Sequence, residues 1–134
     1  MEMQNDPRAL AVAYIEAVGN KDFDRVAALL HPDAEFVTSG PRIQGIPAYV
    51  GALRRLAPIL VRNDVHSTVV DGNDVAIVYD FVTDTPAGRV PTIEWLTTEG
   101  AVIRTSRLIF HKEHWPAAVA ELARRASVAT PSTG

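Results

Sequence analysis

The stretch VAIVYDFVTDTPAGRVPTIEWLTTEGAVIRTSRLIF, residues 75–110, alternates apolar and polar side chains in three runs broken by two turn signals. Val75–Thr83 leads to Thr85-Pro86-Ala87-Gly88, Val90–Thr98 leads to Glu99-Gly100, and Val102–Phe110 closes the set. A period of two over eight or nine residues, ended by Gly and Pro, predicts β-strands, and turns this short join neighbours that run antiparallel. One strand precedes them, Val65–Val70, with the turn Asp71-Gly72-Asn73 between. The four make a meander. Alternation also sorts the faces: Asp80 goes with Val78 and Val82, Glu94 with Thr92 and Leu96, and Ser106 with Leu108 and Phe110.

Upstream of the meander the period changes to that of a helix. Asp6 is a candidate N-cap with Pro7 at the first helical position, and Leu10, Ala13, Tyr14, Ala17 and Val18 fall on one face up to Gly19-Asn20. A second helix from Asp22 to Leu30 is stopped by His31-Pro32, a short strand Ala34–Thr38 follows, and a third helix is predicted from Pro47 to Leu60. Helices first and strands afterwards give an α+β domain, three N-terminal helices packed on one face of a curved antiparallel sheet. The tail HWPAAVAELARRA predicts a short helix from Pro116, and SVATPSTG, residues 127–134, is read as a disordered end, so residues 1–126 form one domain.

At 134 residues the chain has one core and room for one pocket. A net charge of −3 suits no polyanion, and the Arg54-Arg55 and Arg124-Arg125 pairs sit in helical patterns as solvated faces, so nucleic acid is not expected. Cysteine is absent, which removes thiolate chemistry and Cys-bound zinc. His31, His66, His111 and His114 form no close pair on one element, so no metal is expected; no Gly-rich phosphate loop follows a strand, so no cofactor is expected either. With no apolar run of about 18 residues and a polar, acidic start, the expectation is a soluble cytoplasmic protein away from membranes.

The segments AYIEAVGNKDFDRVAALLHPDAEFV with a later IQG, then YDFVTDTPAGRVPTIEW, then EGAVIRTSRLIF, resemble the nuclear-transport-factor-2-like superfamily and especially its SnoaL-like polyketide-cyclase branch, over Pro7 to His111. The resemblance implies a cystatin-like fold in which helices and sheet enclose a conical, largely apolar cavity. Relative to ketosteroid isomerases, Tyr14 matches the tyrosine that donates to an enolate oxygen, and Thr38 stands where those enzymes carry their carboxylate base. Relative to limonene epoxide hydrolases, Asp80 matches one aspartate, while Val78 and Leu108 stand where its partners would be; SnoaL cyclases carry an acid near Leu108 too.

Two carboxyls, Asp80 and Glu94, on adjacent strands with apolar neighbours are therefore the candidate acid and base, with Tyr14 as the oxygen-directed donor. The candidate cavity wall is Phe36, Thr38, Tyr49, Leu53, Leu96, Ser106, Leu108 and Phe110. The reading favoured is a cofactor-free acid–base enzyme, isomerase, cyclase or hydrolase, acting on a small apolar ring-containing molecule. The alternative is a non-catalytic small-molecule-binding or structural module on the same fold. Ile93, Trp95 and Ile109 fall on the uncovered side of the sheet, where Arg107 also lies, and predict a homodimer through that side.

Overall fold

Asp6 does cap the first helix. Its Oδ1 accepts the backbone N–H of Arg8 at 3.0 Å, and α1 runs Pro7–Gly19 with Leu10, Ala11, Tyr14, Ile15 and Val18 turned inward. The computed structural model describes residues 6–129. After α1 come α2 (Phe23–Ala28), β1 (Leu30–Val37), β2 (Ile43–Gln44), α3 (Ile46–Leu56), a 3₁₀ turn (Ala57–Ile59), β3 (Leu60–Asp71), β4 (Asp74–Thr83), β5 (Arg89–Glu99), β6 (Val102–Phe110) and α4 (Trp115–Ala129).

The sheet order is β2-β1-β6-β5-β4-β3, and β3 to β6 form the antiparallel meander. β1 joins its far side parallel to β6, so the sheet is mixed rather than wholly antiparallel. Register shifts between Leu60 and Arg62, between Val65 and Ser67, and between Thr97 and Thr98 mark bulges, which bend the sheet around the helices. Gly19 is where α1 comes closest: a Cβ there would stand 3.1 Å from the backbone nitrogen of Asn63 on β3. The left-handed residue after α1 is Lys21, with φ 59°.

Several boundaries differ from the sequence reading. β1 begins at Leu30, four residues before Ala34, because Ile103 donates its N–H to the Leu29 carbonyl at 2.8 Å and draws the chain into the sheet. α3 ends at Leu56, since Pro58 forces a tighter turn and releases Leu60 to start β3. α4 continues to Ala129, so residues 127–129 are helical rather than part of a disordered tail; residues 130–134 lie outside the described residues.

The main core lies between α1, α2, α3 and the sheet, around Ile15, Val26, Ile77, Leu96 and Ile103. A second, smaller cluster joins Ile59, Ala87, Val90 and Ala118, with Phe81, Phe110, Trp115 and Leu122 packed on it. This cluster seats α4 across the end of the sheet. Arg125 holds it there, paired with Asp84 at 2.8 Å and donating to the Pro58 carbonyl at 2.6 Å. Among the described residues no helix is long and apolar enough to cross a membrane.

Candidate active site

A cavity of about 300 Å³ opens between the helices and the sheet. Tyr14 and Val18 of α1 and Leu53 of α3 form one side; Tyr79, Phe81, Thr92, Glu94, Leu108 and Phe110 form the sheet side; Trp115 and Leu122 of α4 close an edge. Phe36 and Thr38 come from the end of β1. Most of these walls are apolar.

Glu94 is the carboxyl that this arrangement selects. On β5 the inward residues are Val90, Thr92, Glu94, Leu96 and Thr98, and Glu94 is 3% exposed. Its Oε1 accepts the Tyr79 hydroxyl at 2.8 Å and its Oε2 accepts the Ser106 hydroxyl at 2.5 Å. β4 and β6 flank β5 and supply one donor each, so the meander itself builds the pair. A buried carboxylate without such partners would be far costlier. Burial raises the Glu94 pKa above its usual value, and the hydroxyls of Ser106, Tyr79 and Tyr14 pull it partly back.

Tyr14 sits beside this carboxyl and bonds Tyr49 of α3, hydroxyl to hydroxyl, at 2.6 Å. Their rings meet edge to face, and Phe36 leans on Tyr49 with ring centres 5.0 Å apart. Burial first and then the Glu94 charge raise the pKa of Tyr14 and of Tyr79 well above that of a free phenol. Both therefore keep their protons and act as donors across the working pH range. The arrangement holds one buried carboxyl whose charge is supported by hydroxyls, next to a phenol facing an apolar space. Groups placed in this way can move a proton beside an oxygen that a phenol polarises.

Asp80 is not part of it, and that expectation is corrected. The hairpin pairs Asp80 with Pro91 and Ile77 with Glu94, so Glu94 and Asp80 stand on opposite faces. Asp80 lies outside, 3.2 Å from Arg89 and 3.0 Å from His66, across the ladder from Asp64. Arg62 and Arg89 hold the Asp64 carboxyl below its usual pKa there. With Asp80 outside, the match to the epoxide hydrolases loses its surviving member.

Of the expected wall, Phe36, Thr38, Leu53, Leu108 and Phe110 line the cavity. Tyr49, Leu96 and Ser106 do not: all three are fully buried behind it, Tyr49 supporting Tyr14, Ser106 supporting Glu94, and Leu96 in the core. The sequence reading missed Tyr79, Phe81, Thr92 and the α4 residues. Among the described residues no three His, Asp or Glu side chains gather to hold a metal ion.

Residues 11–105 match the family model described as a SnoaL-like domain. No curated protein matches the chain significantly. Among solved structures, a protein from Kribbella flavida DSM 17836 is 27% identical, with 88% of this chain and 95% of that one covered and a TM-score of 0.75. A steroid delta-isomerase from Pseudomonas aeruginosa is 17% identical over 92% of this chain and 93% of its own, with a TM-score of 0.73. For a nuclear-transport-factor-2-like protein from Cytophaga hutchinsonii the identity is 18%, the coverage 82% and 94%, and the TM-score 0.70. At such low identity the last two show a shared fold alone.

Proposed function

The chain belongs to the SnoaL-like domain family, with a nuclear-transport-factor-2-like fold, and on that premise we propose that it is a cofactor-free acid–base enzyme acting on a small ring-containing ketone. Glu94 as carboxylate takes a proton from the carbon next to the carbonyl. The Tyr14 hydroxyl donates to the oxygen on which the enolate charge collects, and Glu94, now neutral, returns the proton to another carbon of the same molecule. Isomerisation or ring closure follows from which carbon is reprotonated or attacked. A raised carboxyl pKa makes a stronger base than an exposed glutamate, and an apolar wall leaves the enolate charge little water to compete with Tyr14.

The observation that carries this reading is a fully buried glutamate on the wall of an apolar cavity with a tyrosine hydroxyl beside it. The volume, at the low end of the about 300–1,000 Å³ of small-molecule sites, suits one or two rings. One observation favours a second reading, a binding module: both Glu94 oxygens already accept internal hydrogen bonds. Exchange of α-protons in D₂O, followed by NMR on 3-cyclohexenone and 2-tetralone, separates the two. The enzyme reading expects exchange well above buffer that Glu94→Gln lowers by about a hundredfold or more. No exchange above buffer, or exchange that survives Glu94→Gln, would overturn it.

For a partner we propose a second copy of the chain, docked through the outer face of the sheet. Trp95 is 49% exposed and Ile109 60% exposed, and they share a shallow groove with Asp74 and Arg107. A two-fold rotation would lay each copy's Arg107 toward the other's Asp74 over a shared apolar centre, the self-complementary arrangement a homodimer needs.

A further inference from the structure

The cavity is polar at both ends. At its closed end Glu94, Tyr14, Tyr79 and Thr92 are each almost completely buried. At its open end stand Thr38, Ser39 and Arg55, of which Ser39 and Arg55 are exposed. Glu94 and Arg55 are the charged side chains that line the space among the described residues. They have opposite signs, and Glu94 is buried where Arg55 is exposed.

Arg55 is unlike the cations around it. Arg54, one residue back on α3, lies over the Phe23 ring at 4.6 Å, and Arg42 reaches Glu35 at 3.5 Å. No ion pair among the described residues includes Arg55. Thr38 Oγ1 accepts the Gly40 N–H at 3.2 Å, which leaves its own hydroxyl proton free to donate outward. The mouth thus offers two hydroxyls and a guanidinium fork that no carboxylate among the described residues pairs with.

We propose that this mouth binds a carboxylate, and that the ligand is a small oxo acid: ring in the apolar middle, ketone oxygen toward Tyr14, carboxylate against Arg55, Thr38 and Ser39. This deepens the proposed function and rests on it. A carboxylate fits better than a phosphate dianion because one guanidinium matches it with two parallel hydrogen bonds, whereas a dianion calls for more than one cation. The chain's net charge of −3 and the Glu94 carboxylate both repel an anion, so its capture falls to Arg55. A mouth cation also orients the ligand, because the charged end has no partner at the closed end.

The test is calorimetric binding of 3-oxocyclohexane-1-carboxylate and its uncharged methyl ester. The native protein is expected to prefer the acid, and the preference to shrink as salt is added. Arg55→Gln should weaken the acid by about tenfold or more while leaving the ester unchanged, and Arg55→Lys should restore part of the loss. Equal binding of acid and ester, or an Arg55→Gln loss shared by both, would overturn the proposal by leaving Arg55 only its methylene stem as a contact. If neither compound binds, it falls together with the cavity reading. If the acid binds through Arg55 while no α-proton exchange is seen, the catalytic reading fails alone.

Discussion

Replacing Tyr79 by Phe removes one hydroxyl and little else from the site. That hydroxyl sits 2.8 Å from Glu94 Oε1 and is one of two hydrogen bonds to the carboxylate from neighbouring strands. A hydrogen bond to a charged group contributes about 1.5–3 kcal/mol. It favours only the ionised form here, because it lowers a pKa that burial has raised. At about 1.4 kcal/mol per pH unit, its loss should move the Glu94 titration upward by about one to two units. The assay is the ¹³C shift of the Glu94 carboxyl carbon against pH in native protein and in Tyr79→Phe. Ser106→Ala, losing the 2.5 Å bond to Oε2, should shift it in the same direction. A titration that stays in place or moves down in Tyr79→Phe, with the fold intact by amide spectra, would refute the claim that these hydroxyls support the charge.

Glu94 binds its proton more tightly folded than unfolded, so its contribution to stability is full below the unfolded value near 4.5 and declines as pH rises to the folded one. In urea melts Glu94→Gln should therefore gain on the native protein as pH rises from 4.5 through the folded Glu94 titration; a gap that does not change with pH would contradict the burial of this charge. Leu96→Ala should destabilise by about 2–5 kcal/mol and leave affinity for 3-cyclohexenone nearly unchanged, since this fully buried side chain fills the core behind the cavity. The native protein should give a dimer by light scattering and Trp95→Asp a monomer, because a carboxylate on the outer face between two copies would be buried without a partner.

The faces of β5 and β6 were legible in the sequence because each carries its own marker. Thr92, Glu94 and Leu96 alternate with Ile93 and Trp95, and Ser106, Leu108 and Phe110 alternate with Arg107 and Ile109. β4 carries none. Val78 and Val82 on one side are as apolar as Ile77, Tyr79 and Phe81 on the other, so alternation sorts the residues without saying which set is inside. The hairpin decides it. Thr83 accepts no slack: its N–H bonds the Gly88 carbonyl at 2.9 Å, an even number of residues lies between them, and even-numbered residues of β4 must face odd-numbered residues of β5. That parity puts Tyr79 inside and Asp80 outside. The sequence reading starts β3 late for a different reason: Arg62 and Asp64 are polar because this is an edge strand, half in water, and Asn63 because its Nδ2 donates to the Ile15 carbonyl of α1 at 3.2 Å. Tyr49 and Tyr14 could be read as a helix-face pair each, but their hydroxyl contact joins α1 to α3 across a sequence separation that no local pattern carries.

The most direct test of Glu94 as the proton-transfer group is the pH dependence of α-proton exchange, measured beside the carboxyl's own titration. The rate should rise with pH through the folded Glu94 pKa, because the ionised form is the base. In Tyr79→Phe the acid limb of the rate and the ¹³C titration should move up together, by the same amount. A limb that stays where it was while the carboxyl titration moves would show that some other group carries the proton.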